Sequence, residues 1–407
     1  MVDSSAGFSA LGRSRRVGEA DGDLAPDSGS QCIHQKIPSS VVARIELTIT
    51  YSTPSMPSKI KILKGMTVSV MTTVIALGSA EVLLRWNGYA ETAAVYYDAD
   101  VGLRYFPNQS RRMIRGGRDL GSVTTNEWGF RSPAFKLKKA PDTLRIACLG
   151  DSFTLGWGVS NEETWPSLLQ DKCDKRYGAG RVEVLNLGLP DFNTVNELRL
   201  YRSFASSLDS DLVILGYVEN DLAPETLGPV SKVAVFDQWI GSSAVMRAVR
   251  IHLYHKIGVY QYAHNAQNTG RRELFNKNKL VIQNQPKHEV ARPYWNASMA
   301  ALKELATAIH EDQHELLLMV FPLRSQVPSS GEFKTEESGI LPPYQRRLGL
   351  SAKALRVPML DLRVEYARFG ADLYADIDNF HPGPAGMKIA AKEIDKLLAS
   401  SDLLPKR

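Results

Sequence analysis

The chain has few of the residues that build covalent or metal-bound frameworks. Its 407 residues include three cysteines, Cys32, Cys148 and Cys173, and no two of them form a CxxC pair. An odd number of cysteines without zinc-ligand spacing indicates neither a disulfide framework nor a cysteine metal site. A single disulfide bridge is not excluded, so the cysteines do not identify the redox compartment.

An excess of charge of one sign is also missing. The chain carries 49 Lys+Arg against 44 Asp+Glu, a net charge of +5. For a protein of this size the excess gives no reason to expect a nucleic-acid partner. With 43% hydrophobic and 23% charged residues, the composition is that of one large globular domain with additions. Disorder throughout, collagen-like repeats and a multi-span membrane protein are excluded.

The N-terminal part lacks any sustained apolar period. Residues 1–55 are rich in Ser, Gly, Asp and Ala, a composition that predicts disorder. Met56 stands just ahead of a basic run, Lys59, Lys61 and Lys64. A second interpretation is therefore that the biological start lies at Met56 and that residues 1–55 are an error of gene annotation.

One long hydrophobic run is present. Residues 66–84, MTVSVMTTVIALGSAEVLL, contain a single charge, Glu81, and predict a transmembrane signal-anchor helix. Lysines precede this run, whereas only Arg85 follows closely, so the positive-inside rule predicts a periplasmic or extracellular C-terminal part. Two alternatives stay open: cleavage at the Gly-Ser-Ala triplet 78–80, which would secrete the protein, or a buried helix of a soluble domain.

The rest of the chain divides into a neck and a large domain. Residues 86–140 predict a membrane-proximal neck of short strands and turns. Within 141–402, apolar runs of strand length occur at 143–150, 181–188, 210–217, 315–322 and 357–362. Helical patterns lie near 163–177, 194–208, 294–312, 342–355 and 384–399. Continuous apolar strands alternating with helices predict a doubly wound α/β sandwich with a parallel sheet.

An insertion at 225–290 interrupts this alternation after the third strand. It therefore lies at the carboxyl end of the sheet, where α/β proteins build their sites. We expect a lid or a substrate-selecting surface there.

The sharpest local feature is the sequence Gly-Asp-Ser-Phe-Thr at 150–154, where the first strand turns into a helix. A serine at this point presents its hydroxyl to the ligand crevice, close to N–H groups that stabilise an anion. Ser152 is the candidate nucleophile. The plainer interpretation is that Asp151 and Ser152 are turn and cap residues.

A nucleophilic serine needs a base, and the base needs an orienting carboxylate. Among the eight histidines, only His381 has an aspartate three residues before it, Asp378, just ahead of the last predicted helix. Asn220 follows the third strand and can aim its side-chain amide at a developing oxyanion. Taken alone, an Asn-Asp pair there is equally well explained as a loop cap.

At this point the sequence resembles the SGNH/GDSL hydrolase superfamily over residues 143–399. The resemblance is carried by GDSFT, ENDL and DNFH in this order, with TWPSLL at 164–169 and HPGPAGMKIAA at 381–391 around the outer motifs. It implies a flavodoxin-like three-layer α/β/α fold and hydrolysis of acyl esters. Ser152 would be the nucleophile, Asn220 an oxyanion donor, and Asp378 and His381 the other members of a triad.

The second motif departs from the family pattern N-x-x-x-x-G, whose glycine supplies an oxyanion N–H. Asn186 is followed five residues later by Asp191, not glycine. Either the Asp191 N–H still donates, or Gly188 takes this role. A carboxylate close to the oxyanion would oppose its formation unless it points away or is neutral.

Two further features compete for a function. His310 and His314 form an HExxH pattern that can bind zinc, but the pattern lies at a polar helix end and is more typical of a solvated helix. Trp157 and Tyr217 follow the first and third motifs and are candidate substrate-binding residues, although aromatic residues more often belong to cores. We expect no metal and no organic cofactor.

The neck segments GLRYFPN and TNEWGFRSP also resemble membrane-anchored bacterial members of this superfamily linked with envelope polysaccharides. The expected function is therefore a serine esterase acting on acyl, chiefly O-acetyl, esters of an envelope or extracellular glycan. Two alternatives remain: acyl transfer by the same triad, or a non-catalytic glycan-binding module.

Overall fold

The structure is a computed structural model. It describes residues 59–86, 95–98, 100–115, 118–224, 243, 245–246, 273–327, 342–375 and 380–404. The chain divides into two compact units, Met1–Leu63 and Lys64–Arg407. Of the first unit, the structure describes the first residues of helix α1 (Lys59–Trp86), and the remaining elements belong to the second. The predicted disorder of residues 1–55 lies outside the described residues.

Helix α1 contains the hydrophobic run. At about 1.5 Å per residue its 28 residues reach about 42 Å, more than a bilayer core requires. Its most apolar stretch of 18 residues has a mean hydropathy of 1.7, and none of the residues of α1 is buried by the rest of the protein. Of the helices in the described ranges, α1 has the length and apolar composition to cross a membrane. Its exposed apolar side chains are unlike those of a core helix, so the interpretation as a buried helix is wrong.

The neck contains two antiparallel strand pairs. Strand β1 (Val95–Asp98) pairs with β2 (Gly102–Tyr105), and β3 (Ser110–Arg115) pairs with β4 (Arg118–Thr124) around an irregularity in register. The predicted short strands and turns are therefore present. A small cluster that includes Met113 and Val123 packs against Leu155, in the turn that follows the candidate nucleophile.

The central sheet has five parallel strands in the order β6-β5-β7-β8-β9. These are β5 (Leu144–Gly150), β6 (Val182–Asn186), β7 (Leu212–Tyr217), β8 (Glu315–Val320) and β9 (Met359–Asp361). The helices are α2 (Ser152–Leu155), α3 (Trp165–Tyr177), α4 (Thr194–Ser203), α5 (Lys279–Asn284), α6 (Arg292–Glu311), α7 (Pro343–Leu355), α8 (Arg363–Phe369) and α9 (Pro384–Ser400). The predicted strands and helices are all found within a few residues of their expected bounds.

Both faces of the sheet are buried, which explains why its strands are apolar at every position. Leu149 of β5 belongs to a cluster with Trp295 of α6, together with residues of α4 and α7. Ile146 of the same strand points to the other face and joins Trp165 of α3 and residues of α9. Burying one such side chain stabilises a fold by about 1.5–3 kcal/mol. The predicted three-layer α/β/α sandwich is thus confirmed.

The strand order positions the functional site. The chain runs from β5 outward to β6 and then returns to β7 on the other side of β5. This reversal opens a crevice at the carboxyl ends of β5 and β7, where doubly wound proteins bind their ligands. Gly150, the first residue of the first motif, is the register partner of Gly216, which lies three residues before the third motif.

Candidate active site

Ser152 begins helix α2 directly after strand β5. Gly150 has a φ of +151° and allows the sharp turn, because a Cβ on it would lie 2.2 Å from Thr154 Oγ1. Asp151 caps the helix by accepting a hydrogen bond of 2.8 Å from the Phe153 N–H. These contacts leave Ser152 half-buried at the carboxyl edge of the sheet. The interpretation of Asp151 as a cap residue is therefore correct, and it is compatible with a reactive Ser152.

His381 lies within hydrogen-bond distance of Ser152. The distance from Ser152 Oγ to His381 Nε2 is 2.8 Å, across 229 positions of sequence. The backbone of His381 is held by a hydrogen bond of 2.8 Å from the Ala375 N–H, next to a bridge between Tyr374 and Pro382. With the proton on Nδ1, Nε2 accepts the serine proton as a general base does.

Aromatic rings enclose the imidazole. The ring centroids of Phe380, Phe153 and Trp157 lie 5.0, 5.2 and 6.2 Å from that of His381. His381 is only 9% exposed, and Trp157 is half-buried. The rings fix the plane of the imidazole and shield the Ser152–His381 contact from water, which strengthens electrostatic interactions there.

Asn220 lies in a turn at the end of β7 and contacts the nucleophile's neighbour. Its Nδ2 donates to Asp151 Oδ2 at 2.7 Å and to the Phe192 carbonyl at 3.2 Å. Ser152 Oγ also lies 3.3 Å from the same Asp151 oxygen. Both amide hydrogens of Asn220 therefore have acceptors, so donation to a substrate oxyanion would require one of them to change its partner.

Asp151 is fully buried, and its pKa reflects that. Burial raises the pKa of Asp151 to about 6, opposed by the hydrogen bond from the Phe153 N–H, the charge of His381 and the hydrogen bonds from Asn220 and Ser152. Near neutral pH its carboxylate is ionised and accepts from Asn220. In weak acid Asp151 gains a proton, which weakens its carboxyl group as the acceptor of the hydrogen bond from Asn220.

Two more buried carboxyls lie behind Asp151. Asp221 accepts hydrogen bonds from the Val218 N–H at 2.6 Å and from Thr194 Oγ1 at 2.8 Å. Burial raises the pKa of Asp221, and burial together with the charge of Asp221 raises that of the fully buried Glu197. Two carboxyls close together in a dry interior cannot both ionise cheaply. Glu197 and Asp221 therefore retain a proton at neutral pH.

The structure separates the two oxyanion candidates of the second motif. The Gly188 N–H donates to Asn186 Oδ1 at 3.0 Å, and a Cβ on Gly188 would lie 2.2 Å from the Leu155 N. Gly188 is therefore engaged in packing and in an internal hydrogen bond, and its role as an oxyanion donor stays a prediction. Asp191 has a left-handed φ of +62° and an exposed side chain, a conformation that favours glycine.

The other predicted site residues have different outcomes. Asp378 lies outside the described residues. Trp157 borders the imidazole, as expected of a residue at the crevice. Tyr217 is fully buried and its hydroxyl is hydrogen-bonded at 2.8 Å to Ser298, so the expectation that it contacts substrate is corrected. As the last residue of a strand covered on both faces, it packs into the core.

Sequence reasoning missed Arg131, which joins the neck to the site. This arginine is 3% exposed and donates to the carbonyls of Leu155, Gly156 and Val159 at 3.2, 2.6 and 2.6 Å. It also donates to the Ser122 carbonyl of β4 at 2.7 Å. Those carbonyls belong to the turn that follows Ser152, so Arg131 fixes its position. The local sequence gave no signal of this role, since Glu127 stands four residues before Arg131 as an apparent partner.

Sequence reasoning also missed a contact between the insertion and the site. Glu219, beside Asn220, accepts a hydrogen bond of 2.7 Å from Gln283 and pairs with Lys279, both of α5. The Lys279 ammonium lies 5.1 Å from the ring centroid of Phe380, the neighbour of His381. Helix α5 therefore lies against the catalytic edge. The rest of the insertion, apart from residues 243, 245–246 and 273–290, lies outside the described residues.

The HExxH pattern does not remain on one helix. Helix α6 ends at Glu311, so His310 is exposed at its last turn while His314 lies beyond it. The His314 ring is buried and hydrogen-bonded at 3.0 Å to Tyr201, whose hydroxyl also donates to Asp312 at 2.8 Å. Within the described ranges no group of three or more His, Cys, Asp or Glu side chains could hold a metal ion.

The fold and the Ser152–His381 contact together are typical of a serine hydrolase with a doubly wound sheet. Residues 148–389 match the family described as GDSL-like Lipase/Acylhydrolase. This match spans more than half of the chain, so the protein belongs to that family and is a hydrolase of carboxylic ester bonds. No curated protein matches the chain.

Several solved structures are similar to the chain. Axe2, an acetylxylan esterase from Geobacillus stearothermophilus, has 13% identity and a TM-score of 0.38, and the match covers 67% of this chain and 100% of that one. The acetyl xylan esterase AlAXEase has 12% identity and a TM-score of 0.37, with 63% and 100% covered. The esterase EstA from a Pseudoalteromonas species has 13% identity and a TM-score of 0.36, with 63% and 97% covered.

Proposed function

We propose that the protein is a serine esterase that removes short acyl groups, chiefly O-acetyl, from a cell-envelope or extracellular glycan. The observation that carries this proposal is the 2.8 Å hydrogen bond between Ser152 Oγ and His381 Nε2. It joins a half-buried serine at a strand-to-helix turn to a base enclosed by aromatic rings. Asp378 completes the proposed triad and orients His381 from three residues upstream.

In the proposed mechanism His381 Nε2 removes the Ser152 proton as Oγ attacks the acyl carbonyl. The C–O bond to the sugar then breaks, and the imidazolium returns the proton to the leaving sugar oxygen. Water, deprotonated by His381, then attacks the acyl-enzyme; the bond between the acyl carbon and Ser152 Oγ breaks, the imidazolium returns its proton to Oγ, and the carboxylic acid leaves. Asp378 stabilises the imidazolium that forms twice in this cycle.

The oxyanion requires donors at the carboxyl edge of the sheet. We assign this role to the Ser152 N–H, the Asn220 side chain and the Asp191 N–H. The support for Asn220 is its contact with Asp151, which keeps the amide beside the nucleophile. The exposed side chain of Asp191 supports a backbone role, because its carboxylate is solvated rather than enclosed with the oxyanion.

The surroundings of His381 support the proposed substrate class. Phe153, Phe380 and Trp157 pack around the imidazole, and we take this crowding to favour a short acyl group over a long chain. The half-buried Trp157 offers an apolar ring face of the kind that packs against the C–H face of a sugar. Both features favour acetyl esters of a glycan over lipids.

We further propose that α1 is a signal-anchor that holds the enzyme at a membrane, with residues 86–140 as the neck and 141–402 as the catalytic domain outside the cytoplasm. The length and exposure of α1 support this topology, as does the lysine cluster at its N-terminal end, by the positive-inside rule. Added protease should digest the domain in spheroplasts with an intact cytoplasmic membrane.

The deciding experiment is hydrolysis of a chromogenic acetyl ester by the full chain in detergent, beside its Ser152→Ala variant. A serine esterase should lose at least about 1,000-fold in kcat in the variant, with an unchanged melting temperature. Arg202→Lys, on the exposed surface, is the control and should keep full activity. Equal turnover by the wild type and the Ser152→Ala variant would contradict the proposal.

A second assay separates hydrolysis from acyl transfer. Ser152 should become acetylated when a substrate is mixed with the enzyme and quenched early, and mass spectrometry of the peptide detects it. If the acetyl group leaves at the same rate with and without added sugar acceptors, water is the acceptor. If release of the acetyl group required a sugar acceptor, the enzyme would be an acyltransferase and not a hydrolase.

A further inference from the structure

An open groove of about 930 Å³ lies beside helix α5. The groove is formed by three parts of the fold: the end of α5 with the loop that follows it, the start of α6 and the start of α7. Its volume is close to the upper end of ordinary ligand sites and is much larger than a single small anion needs. Sequence reasoning did not identify it.

The side chains that line the groove are basic. Lys287, Arg292, Arg346 and Arg347 are all exposed there. No carboxylate is among the lining residues, and within the described part of the chain none of these four cations forms an ion pair. In a chain whose net charge is only +5, such a concentration of unpaired cations is a local feature rather than a consequence of composition. It creates a positive potential that attracts anions.

The main chain contributes to the same potential. Helices α6 and α7 both begin at the groove and have no acidic residue in their first turns. Their cap positions are Ala291 and Pro342, whose side chains cannot accept a hydrogen bond. The partial positive charge of two helix N-termini therefore adds to that of the side chains.

The floor of the groove is partly apolar. Leu350 is 62% exposed, and Pro286 and Pro343 line the same space. A strictly ionic ligand gains nothing from such a surface. A ring with apolar C–H faces and charged substituents gains from both the floor and the cations.

The groove is close to the catalytic edge. Asn284, the last residue of α5, lines the groove, while Lys279, the first, contacts Glu219 and the ring of Phe380. The two ends of α5 are separated by about 7–8 Å along the helix axis, at 1.5 Å per residue. Helix α5 therefore has one end at the groove and the other at the catalytic edge.

We propose that this groove binds the unreacted part of a polyanionic glycan whose sugar units carry carboxylates, and so selects the polymer that the esterase acts on. Three of the four cations are arginines, whose planar guanidinium matches a carboxylate through two parallel hydrogen bonds. This inference rests on the proposed glycan esterase function, because it makes the occupant a continuation of the same substrate.

The test measures binding without turnover. Full-length Ser152→Ala protein in detergent is titrated with polygalacturonate, a carboxylated glycan, and with dextran, a neutral one. Two double variants are made in this Ser152→Ala protein. One combines Arg346→Gln with Arg347→Gln, and the other, which preserves the charge, combines Arg346→Lys with Arg347→Lys. The matched control is Lys388→Gln with Lys392→Gln, which removes two exposed cations from α9. Glutamine is a good helix former, so neither pair should disturb its helix.

We expect the Gln pair in α7 to weaken polygalacturonate binding about tenfold, from two contacts of up to about 0.7 kcal/mol each. The Lys pair should stay within about threefold of the parent, and the α9 control should not change. Raising the salt concentration should weaken binding by screening. Dextran should bind at least about tenfold more weakly than polygalacturonate.

Three results would overturn the inference. These are equal binding by the parent and the Gln pair of α7, equal binding of dextran and polygalacturonate, and tighter binding of polyphosphate than of polygalacturonate. None of these readings depends on catalysis. The inference can therefore fail while the acetyl-ester assay succeeds, and it can succeed if that assay fails.

Discussion

Asp151 and Asn220 share a hydrogen bond of 2.7 Å between a fully buried carboxylate and the side-chain amide assigned to the oxyanion. The carboxylate belongs to the residue before the nucleophile, and the amide comes from the next strand of the sheet. One contact thus ties together the two loops that form the crevice. Because this hydrogen bond is short and buried, Asp151 is a positioning residue for Asn220.

Replacing Asp151 with Asn tests this role. The new amide keeps an oxygen for the Phe153 N–H but turns its NH₂ toward the NH₂ of Asn220, so Asn220 is displaced. We expect kcat on an acetyl ester to fall about 10- to 100-fold with little change in KM, because one oxyanion donor is worth about 100- to 1,000-fold.

A double-mutant cycle supplies the control. In the Asn220→Ala background, Asp151→Asn should lower kcat by no more than about threefold, because its effect on the reaction passes through Asn220. Fully additive losses would show that Asp151 acts on the reaction by another route.

Asp191 holds a left-handed backbone where the family pattern has glycine. Asp191→Gly should leave stability within about 1 kcal/mol, since relief of the left-handed φ of +62° opposes the greater chain entropy of glycine. It should also raise kcat severalfold by removing a carboxylate near the proposed oxyanion. Initial-rate kinetics and chemical denaturation measure the two effects.

Asp209→Gly is the matched control for that substitution. Asp209 is also exposed and left-handed, with a φ of +51°, but lies at the opposite end of β7. It should show the same small change in stability and no change in kcat. An equal gain in kcat at both positions would rule out a local effect of the Asp191 carboxylate.

Gly188 is required by packing. A Cβ there would lie 2.2 Å from Leu155 N and 2.7 Å from the Thr154 carbonyl carbon, both backbone atoms that cannot swing away. We expect Gly188→Ala to lower the free energy of unfolding by about 2 kcal/mol or more and to reduce kcat by moving α2.

Gly349→Ala provides a comparison within the same protein. In α7 the added Cβ meets only Met359 Cε, at 3.5 Å, so alanine should stabilise the helix by about 0.5–1 kcal/mol. Denaturant titration of both variants checks the contrast. If Gly188→Ala did not lower the free energy of unfolding, the close approach of the two backbones would be contradicted.

The Glu197–Asp221 pair predicts how stability depends on pH. The folded protein retains a proton that the unfolded chain releases above about pH 4.3, because burial raises both pKa values. The stabilisation is therefore complete in acid and is lost as pH rises through the folded pKa. The free energy of unfolding should fall by up to about 1.4 kcal/mol per pH unit between pH 5 and 8.

Glu197→Gln should make this dependence shallower by removing one titrating group. Glu304→Gln is the control, because that side chain is 56% exposed in a surface pair with Arg202 and should leave the slope unchanged. Urea unfolding at several pH values measures the slopes. Parallel slopes for the wild type and Glu197→Gln would mean that Glu197 is ionised in the folded state.

The sequence by itself determined the sheet and its order of elements. Strands buried on both faces must be apolar at every position, and that pattern is local, so β5, β7 and β8 could be read directly. Ser152, Asn220 and His381 were also identifiable, because parallel strands end at one edge and the motifs stand at those ends.

Only the tertiary structure decided which neighbouring groups complete the site. The buried arginine Arg131 reaches the turn after Ser152 from the neck, and Lys279 reaches Phe380 from the insertion. These contacts join segments far apart in sequence, and no local periodicity encodes them. Likewise Tyr217 was misassigned because its position beside a motif is local, whereas its burial is set by the packing of distant strands and helices.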